Sequence, residues 1–167
     1  ITVSNECPLS DVLDKTILGD CSEVLPLLPE QSVDLLIADP PYNLSKDFHG
    51  SAFSAMSNED YAAYTERWIK AVMPILKPNA SVYVCCDWQT SPLIGLMMQK
   101  HFKVLNRITW QREKGRGAKR NWKNSMEDIW FAVCGDEYTF HLEDVMQRRR
   151  VVAPYREDGK PKDWEET

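Results

Sequence analysis

Hydrophobic and polar positions divide the chain into short blocks with distinct periods. Val33-Asp34-Leu35-Leu36-Ile37-Ala38 is an apolar run of strand length that stops abruptly at Asp39-Pro40-Pro41-Tyr42, which predicts a buried strand bounded by a turn. Ser81 to Cys86, Phe102 to Trp110 and Asp128 to Val133 predict three more strands. Thr16-Ile17-Leu18 and Tyr138-Thr139-Phe140 are shorter strand candidates. Tyr61, Tyr64, Trp68, Val72 and Ile75 recur at spacings of three and four, one face of a helix. Ser57-Asn58-Glu59-Asp60 opens that helix with a cap and early acids, and Pro74 closes it. A second helix is predicted from Asp87 to Lys100 with Leu93, Ile94, Leu96 and Met97 inward. A brief helix from Glu23 to Leu28 follows Ser22 as its N-cap and ends at Pro29. Residues 43–57 are a polar loop without period, and Lys77-Pro78-Asn79 and Gly135-Asp136 read as turns.

The order strand, helix, strand, helix, strand, strand predicts an α/β fold. Its first part is parallel and built from crossover units, and its last two strands form an antiparallel pair. Residues 1–14 are expected to be a surface segment and 15–146 one domain. Residues 147–167, charged and proline-containing, are expected to be a linker or the start of another region.

The 167 residues carry a net charge of −5, which does not itself suggest a polyanionic partner. The distribution does. Residues 1–66 hold twelve acids and two bases, so the remainder is net positive. Arg112, Lys114, Arg116, Lys119, Arg120 and Lys123 fall in one predicted loop, 111–125, with Trp110 and Trp122 nearby. That combination suits contact with nucleic-acid phosphates, although a charge run is also a common solvated surface. Five cysteines without a C-x-x-C pair argue against a disulfide framework or zinc site and for a reducing cytosol. Cys85 and Cys86, in an apolar run, are expected to be core thiols. His49, His101 and His141 show no metal-ligand spacing. No apolar stretch is long enough to span a bilayer, and the first residues lack the pattern of a signal peptide.

Asp39-Pro40-Pro41-Tyr42 carries the candidate chemistry. Proline lacks an N–H and fixes its own φ, and it drives the preceding residue into extended geometry. The turn therefore presents a carboxylate and carbonyls as stiff acceptors, with an aromatic ring beside them. The carboxyl end of a strand in an open α/β sheet is where ligands bind.

The whole pattern resembles a known family. Gly19-Asp20-Cys21, a short helix, the 33–38 run, Asp39-Pro40-Pro41-Tyr42-Asn43-Leu44, Trp68, Ile75-Leu76-Lys77-Pro78, Ile108-Thr109-Trp110, Lys119-Arg120 and Glu127-Asp128-Ile129 stand in sequence. Together they are similar to the N-terminal catalytic half of beta-class DNA adenine-N6 methyltransferases of the type II restriction-modification kind. The likeness covers roughly residues 15–146. It implies a Rossmann-like S-adenosylmethionine-dependent methyltransferase sheet, partial here, and S-adenosylmethionine as methyl donor. The substrate it implies is double-stranded DNA whose target adenine is flipped from the stack. It also implies catalytic roles for Asp39, Pro40, Pro41 and Tyr42 and donor contacts from Asp20, the Cys21 main chain and Asp39. Members are often dimeric.

One departure is clear. The family's glycine-rich donor-binding segment has no counterpart after a strand here. The one G-x-G, Gly115-Arg116-Gly117, lies inside the basic loop and reads as loop flexibility. The chain is therefore expected to need a further C-terminal portion or partner chain to hold the donor. Cytosine-N4 methylation is the neighbouring alternative, and a nucleic-acid-binding module without catalysis is another.

Overall fold

The computed structural model describes residues 7–48, 51–116, 120, 122–150, 156–158, 160–161 and 164–166. Its centre is a four-stranded mixed sheet. Strand β1 is Val33–Ala38; the next two strands, β2 (Lys46–Phe48) and β3 (Ser51–Phe53), form a small separate hairpin; β4 is Leu76–Cys86, β5 Lys103–Arg116 and β6 Asn124–Val133. The sheet order is β1-β4-β6-β5, with β1 parallel to β4 and β6 antiparallel to both neighbours. The antiparallel β5–β6 pair matches the expectation. The third strand does run in the direction of the first two, but β6 lies between β4 and β5.

Helix α1 is Cys21–Val24, α2 Asn58–Val72 and α3 Ser91–His101. Ser57 caps α2: its Oγ accepts from the Asp60 N–H (3.1 Å) and donates to the Asp60 carboxylate (2.9 Å). Tyr61, Thr65, Trp68, Ile69 and Val72 are the buried stripe of α2. Pro74 ends the helix in a 3-10 turn, Met73–Ile75. Glu66 ties α2 to α3 by accepting from His101 Nε2 at 2.8 Å and Lys100 Nζ at 3.0 Å.

The helices cover one face of the sheet. Val82, Val84, Cys86 and Ala132 on that face share a core with Ile69, Val72, Ile94 and Met98. Trp130 on β6 wedges against α3, where its indole N–H reaches the Ser91 carbonyl at 3.2 Å. A Cβ added at Gly95 would meet the Trp130 ring at 2.5 Å, so glycine is what lets α3 lie this close. On the opposite face Leu35 is 51 % exposed, Ile37 69 %, Ile108 42 % and Trp110 61 %. Parallel strands with continuous apolar runs are ordinarily buried on both faces; β1 has such a run but only one covered face.

Several boundaries differ from those the sequence predicts. Thr16-Ile17-Leu18 forms no strand, and Leu18 is fully exposed. Tyr138-Thr139-Phe140 is also not a strand; the rings of Tyr138 and Phe140 pack on Phe131 instead. The loop after Tyr42 contains the β2–β3 hairpin. Strand β4 begins at Leu76, so Lys77-Pro78-Asn79 is an excursion within a strand. Leu76 pairs with Val33 and Ser81 with Leu35, leaving four β4 residues opposite Asp34, and Lys77 bonds the Asp34 carboxylate at 2.7 and 2.8 Å. Helix α3 starts at Ser91 because Asp87 holds the preceding turn, accepting from Thr90 N–H and hydroxyl at 2.8 and 2.6 Å. Leu96 points outward, because close packing at Gly95 turns that flank of α3 away from the sheet.

Most of the expected basic loop is strand. β5 continues through Gln111, Arg112 and Glu113, and β6 starts at Asn124, so the two form a long arm. The polar residues of the arm show no apolar period; backbone pairing between the strands sustains it. Residues 147–167 carry a short ladder of Arg148–Arg150 against Trp164–Glu166.

Candidate active site

Asp39, Pro40, Pro41 and Tyr42 follow directly on β1, at the end where parallel β1 and β4 both finish. Asp39 is exposed and the other three are half-buried. Two clamps fix this turn. The buried Tyr61 hydroxyl, from the first turn of α2, donates to the Pro41 carbonyl at 3.0 Å. The Asn43 side chain closes a two-bond ring with Met56, accepting from its N–H at 2.7 Å and donating to its carbonyl at 2.9 Å. Tyr61 reads in sequence as a core residue and Asn43 as a loop residue. Neither carries a signal of anchoring, because both partners are backbone atoms distant in sequence.

The register of the sheet assembles the rest of the site. Ala38 pairs with Val84, so Asp39 lies level with Cys85; Cys85 in turn opposes Ile129 on β6. Two residues earlier on the same face of β6 stands Glu127, directly opposite Trp110. Burial, reinforced by the Asp39 and Glu127 carboxylates and a hydrogen bond to Asp39, pushes the Tyr42 phenol well above its ordinary range. Burial and then the same two carboxylates push the Cys85 thiol up. Both groups therefore stay protonated at neutral pH. Cys86 is a core thiol, as expected, and burial pushes it up to about 12. Cys85 is different: it faces the site. Cys85 and Glu127 are the residues beside Asp39 that sequence reasoning missed. Their membership depends on cross-strand register, which no local pattern reports.

Asp20 caps α1, its Oδ1 accepting from the Ser22 N–H at 2.8 Å and from the Ser22 hydroxyl. The helix therefore starts two residues before the predicted one, with Asp20 rather than Ser22 as its cap. Those bonds, with a smaller contribution from Arg67, hold the Asp20 carboxyl below its ordinary range. Gly19 lies so close to Val24 that a Cβ there would sit 2.5 Å from its Cγ2. Exposed Cys21 and Asp20 border Tyr64, raising its phenol after burial itself. Tyr64 stacks on Tyr61 at 5.8 Å, and Tyr61 holds Pro41. Asp20 and Cys21 are thus linked to the Asp39 turn through two aromatic rings. The Asp20 bonds use Oδ1, which fits a role in which Oδ2 accepts from an amine.

Of the six cations, Arg112 is paired with Glu127 across the arm. Arg120 and Lys123 are exposed, and Trp122 between them is almost fully so. Lys114 and Arg116 lie on β5, and Lys119 falls outside the described residues. The root of the arm stands beside the Asp39 turn, because Arg112 meets Glu127 there.

This fold is a partial Rossmann-like methyltransferase sheet, and solved structures of DNA methyltransferases share it. The cytosine-N4-specific PvuII DNA methyltransferase superposes with a TM-score of 0.59 at 18 % identity, over 72 % of this chain and 49 % of that one. The DNA modification methylase TTHA0409 of Thermus thermophilus, complexed with S-adenosyl-L-methionine, gives 0.57 at 22 % identity over 74 % and 54 %. The DNA methylase family model of N6 and N4 methyltransferases matches residues 33–164, and the chain belongs to that family. Curated relatives include the DNA adenine methyltransferase YhdJ of Escherichia coli K12, 30 % identical over 86 % of this chain and 51 % of the relative. The type II methyltransferase M.HinfI of Haemophilus influenzae is 29 % identical over 86 % and 46 %. The chain spans about half the length of these relatives.

Proposed function

We propose that the chain is the catalytic-motif half of a DNA methyltransferase that modifies the N6 amine of adenine flipped out of duplex DNA. The observation carrying this reading is the rigid acceptor turn at the end of β1. Asp39 supplies a carboxylate and Pro40 a carbonyl without an N–H between them, and Tyr61 holds the next carbonyl from behind. An exocyclic amine on a purine is a poor nucleophile because its lone pair is delocalised into the ring. Acceptors on its two N–H groups favour a tetrahedral nitrogen and a localised lone pair. They also stabilise the positive charge that develops there as the methyl transfers, an effect larger in the transition state than in the ground state. Extruding the base costs a few kcal/mol, which stacking on Tyr42 offsets by ~1–3 kcal/mol.

S-Adenosylmethionine supplies an already activated methyl group when bound. The open Oδ2 of Asp20 and the exposed Cys21 main chain fit one side of its adenine. The other side is proposed to come from a further portion of the protein or a partner chain carrying the glycine-rich segment. The exposed apolar stretch at Leu35, Ile37, Ile108 and Trp110 supports this, since the apolar run of β1, parallel to β4, calls for a covering layer on its second face. The basic arm is proposed to track the duplex backbone, and such an enzyme works where DNA is, in the cytoplasm of a prokaryote. Among the described residues no helix is long and apolar enough to cross a membrane.

Cytosine N4 is the second reading, because the same acceptors suit any exocyclic amine on a base. Labelled methyl transfer from S-adenosylmethionine to duplex DNA by the full-length protein, followed by digestion to nucleosides, separates the two. Label in N6-methyladenine that vanishes in Asp39→Ala is the expected result. Label in N4-methylcytosine moves the assignment to the second reading, and DNA without label overturns both.

A further inference from the structure

The Asp39 turn has a chemical gap. A carboxylate and two prolines accept hydrogen bonds and offer no backbone donor from Pro40 or Pro41. The Watson–Crick edge of the target base is mixed. Beside the amine, which donates, stands a ring nitrogen (N1 in adenine, N3 in cytosine) whose lone pair accepts. Leaving that lone pair unpaired in a closed pocket costs the desolvation of a polar group. A donor must come from outside the turn.

The sheet register brings one to the place. Glu127 lies on the same face and at the same end of the sheet as Asp39 and Cys85, two residues before the Ile129 that opposes Cys85. The side chain of Glu127 is 26 % exposed and is bonded to Arg112. Arg112 stands two residues beyond Trp110, which faces Glu127 directly, just where the β5–β6 register becomes irregular, and its guanidinium reaches Glu127 across the arm. The Arg112 side chain is 45 % exposed, and a guanidinium carries five N–H donors, of which one carboxylate takes at most two. The Cys85 thiol is a weaker donor, and Tyr42 serves the flipped base through its ring face. We propose that Arg112 donates a hydrogen bond to the ring nitrogen beside the target amine, and that Glu127 is the positioning residue that holds Arg112 for it. The Asp39 turn and the root of the arm then read the two halves of one base edge, acceptor to amine and donor to ring nitrogen. This rests on the methyltransferase reading above. It changes the expected part played by Arg112, from a phosphate contact to a contact with the base itself.

The test uses the full-length enzyme and two duplexes, one with adenine at the target and one with 1-deazaadenine, in which N1 is replaced by C–H. Wild type first shows which base it methylates on ordinary DNA. If it methylates none, the parent reading fails, and if it methylates cytosine, 3-deazacytosine serves as the analogue. The altered reactivity of the analogue is common to all variants and cancels in ratios. Wild type is expected to lose at least about tenfold more kcat/KM on the analogue than Arg112→Ala does, the size of a hydrogen bond from a charged donor. Glu127→Gln is expected to fall between them, with its loss in kcat rather than KM and an unchanged melting temperature. Equal losses on the analogue in wild type and Arg112→Ala overturn the proposal. So does an Arg112→Ala variant whose sole defect is weaker, less salt-dependent DNA binding, the behaviour of a phosphate contact.

Discussion

The hydroxyl of Tyr61 donates to the carbonyl of Pro41 across 3.0 Å, joining residues twenty apart in sequence. One partner is the most buried ring of α2 and the other is the third residue of the acceptor turn. The core and the site are therefore mechanically one unit. Tyr61→Phe keeps the ring and removes the hydroxyl, with this bond and its contact with Thr90. It is expected to lower stability by about 1 kcal/mol in thermal unfolding, and to lower kcat with little change in KM, because the turn loses rigidity rather than affinity. An unchanged kcat together with an unchanged melting temperature contradicts this account.

Asn43 holds the other side of the turn through its two bonds to Met56. Asn43→Ala is expected to abolish the protection of the Met56 amide in hydrogen exchange, while amides of β4 keep theirs. Slow exchange at Met56 in the variant rules the clamp out.

Close approach at Gly95 makes a third prediction. Gly95→Ala places a methyl group against the Trp130 ring, which cannot retreat without breaking its bonds to Ser91 at 3.2 Å. Overpacking of this kind costs about 1–3 kcal/mol. Denaturant unfolding is expected to show it, with a changed near-ultraviolet tryptophan signal.

Glu66 makes the α2–α3 junction sensitive to acid. Hydrogen bonds from His101, Lys100 and Lys70, opposed in part by desolvation, hold its carboxyl down to about 2. A depressed native pKa means the contribution is complete above the unfolded carboxylate value, about 4.3, and is lost as pH falls through about 2. Glu66→Gln is expected to flatten the stability profile in that window and leave its shape above pH 5 unchanged.

The cations at the tip of the arm are expected to act on DNA affinity alone. Arg116→Ala and Arg120→Ala should weaken binding uniformly across sequences, and each should reduce the salt slope by about one unit. Titrations at several salt concentrations measure this, and unchanged slopes remove the two residues from the phosphate interface.

Much of the fold was legible along the chain because its signals are local. The apolar run before Asp39, the capping of α2 by Ser57 and its spacing of apolar residues place these elements where the structure has them. The strand candidates at Thr16 and Tyr138 failed for one reason. A three-residue apolar stretch needs a pairing partner to become a strand, and in this fold Phe140 and Tyr138 find ring contacts on Phe131 instead. The arm was hidden for the converse reason: Gln111 to Lys114 have no apolar period, and pairing of Gln111 with Met126 and of Arg116 with Asn124 carries the strand across them.

By itself, the sequence determined the chemistry of the acceptor turn, because proline's missing N–H and restricted φ are covalent properties that need no neighbours. It also determined the separation of an acidic half from a basic arm. The tertiary structure alone decided that Tyr61 and Asn43 brace the turn, and that Glu127 and Cys85 stand beside Asp39. It alone decided that, among the described residues, the stretch of one sheet face at Leu35, Ile37, Ile108 and Trp110 stays exposed while Phe131 on the same face is covered. The bracing rests on how α2 and the loop after Tyr42 pack back on the turn, and the placing of Glu127 and Cys85 rests on strand register, where a shift of one residue would send both side chains to the other face.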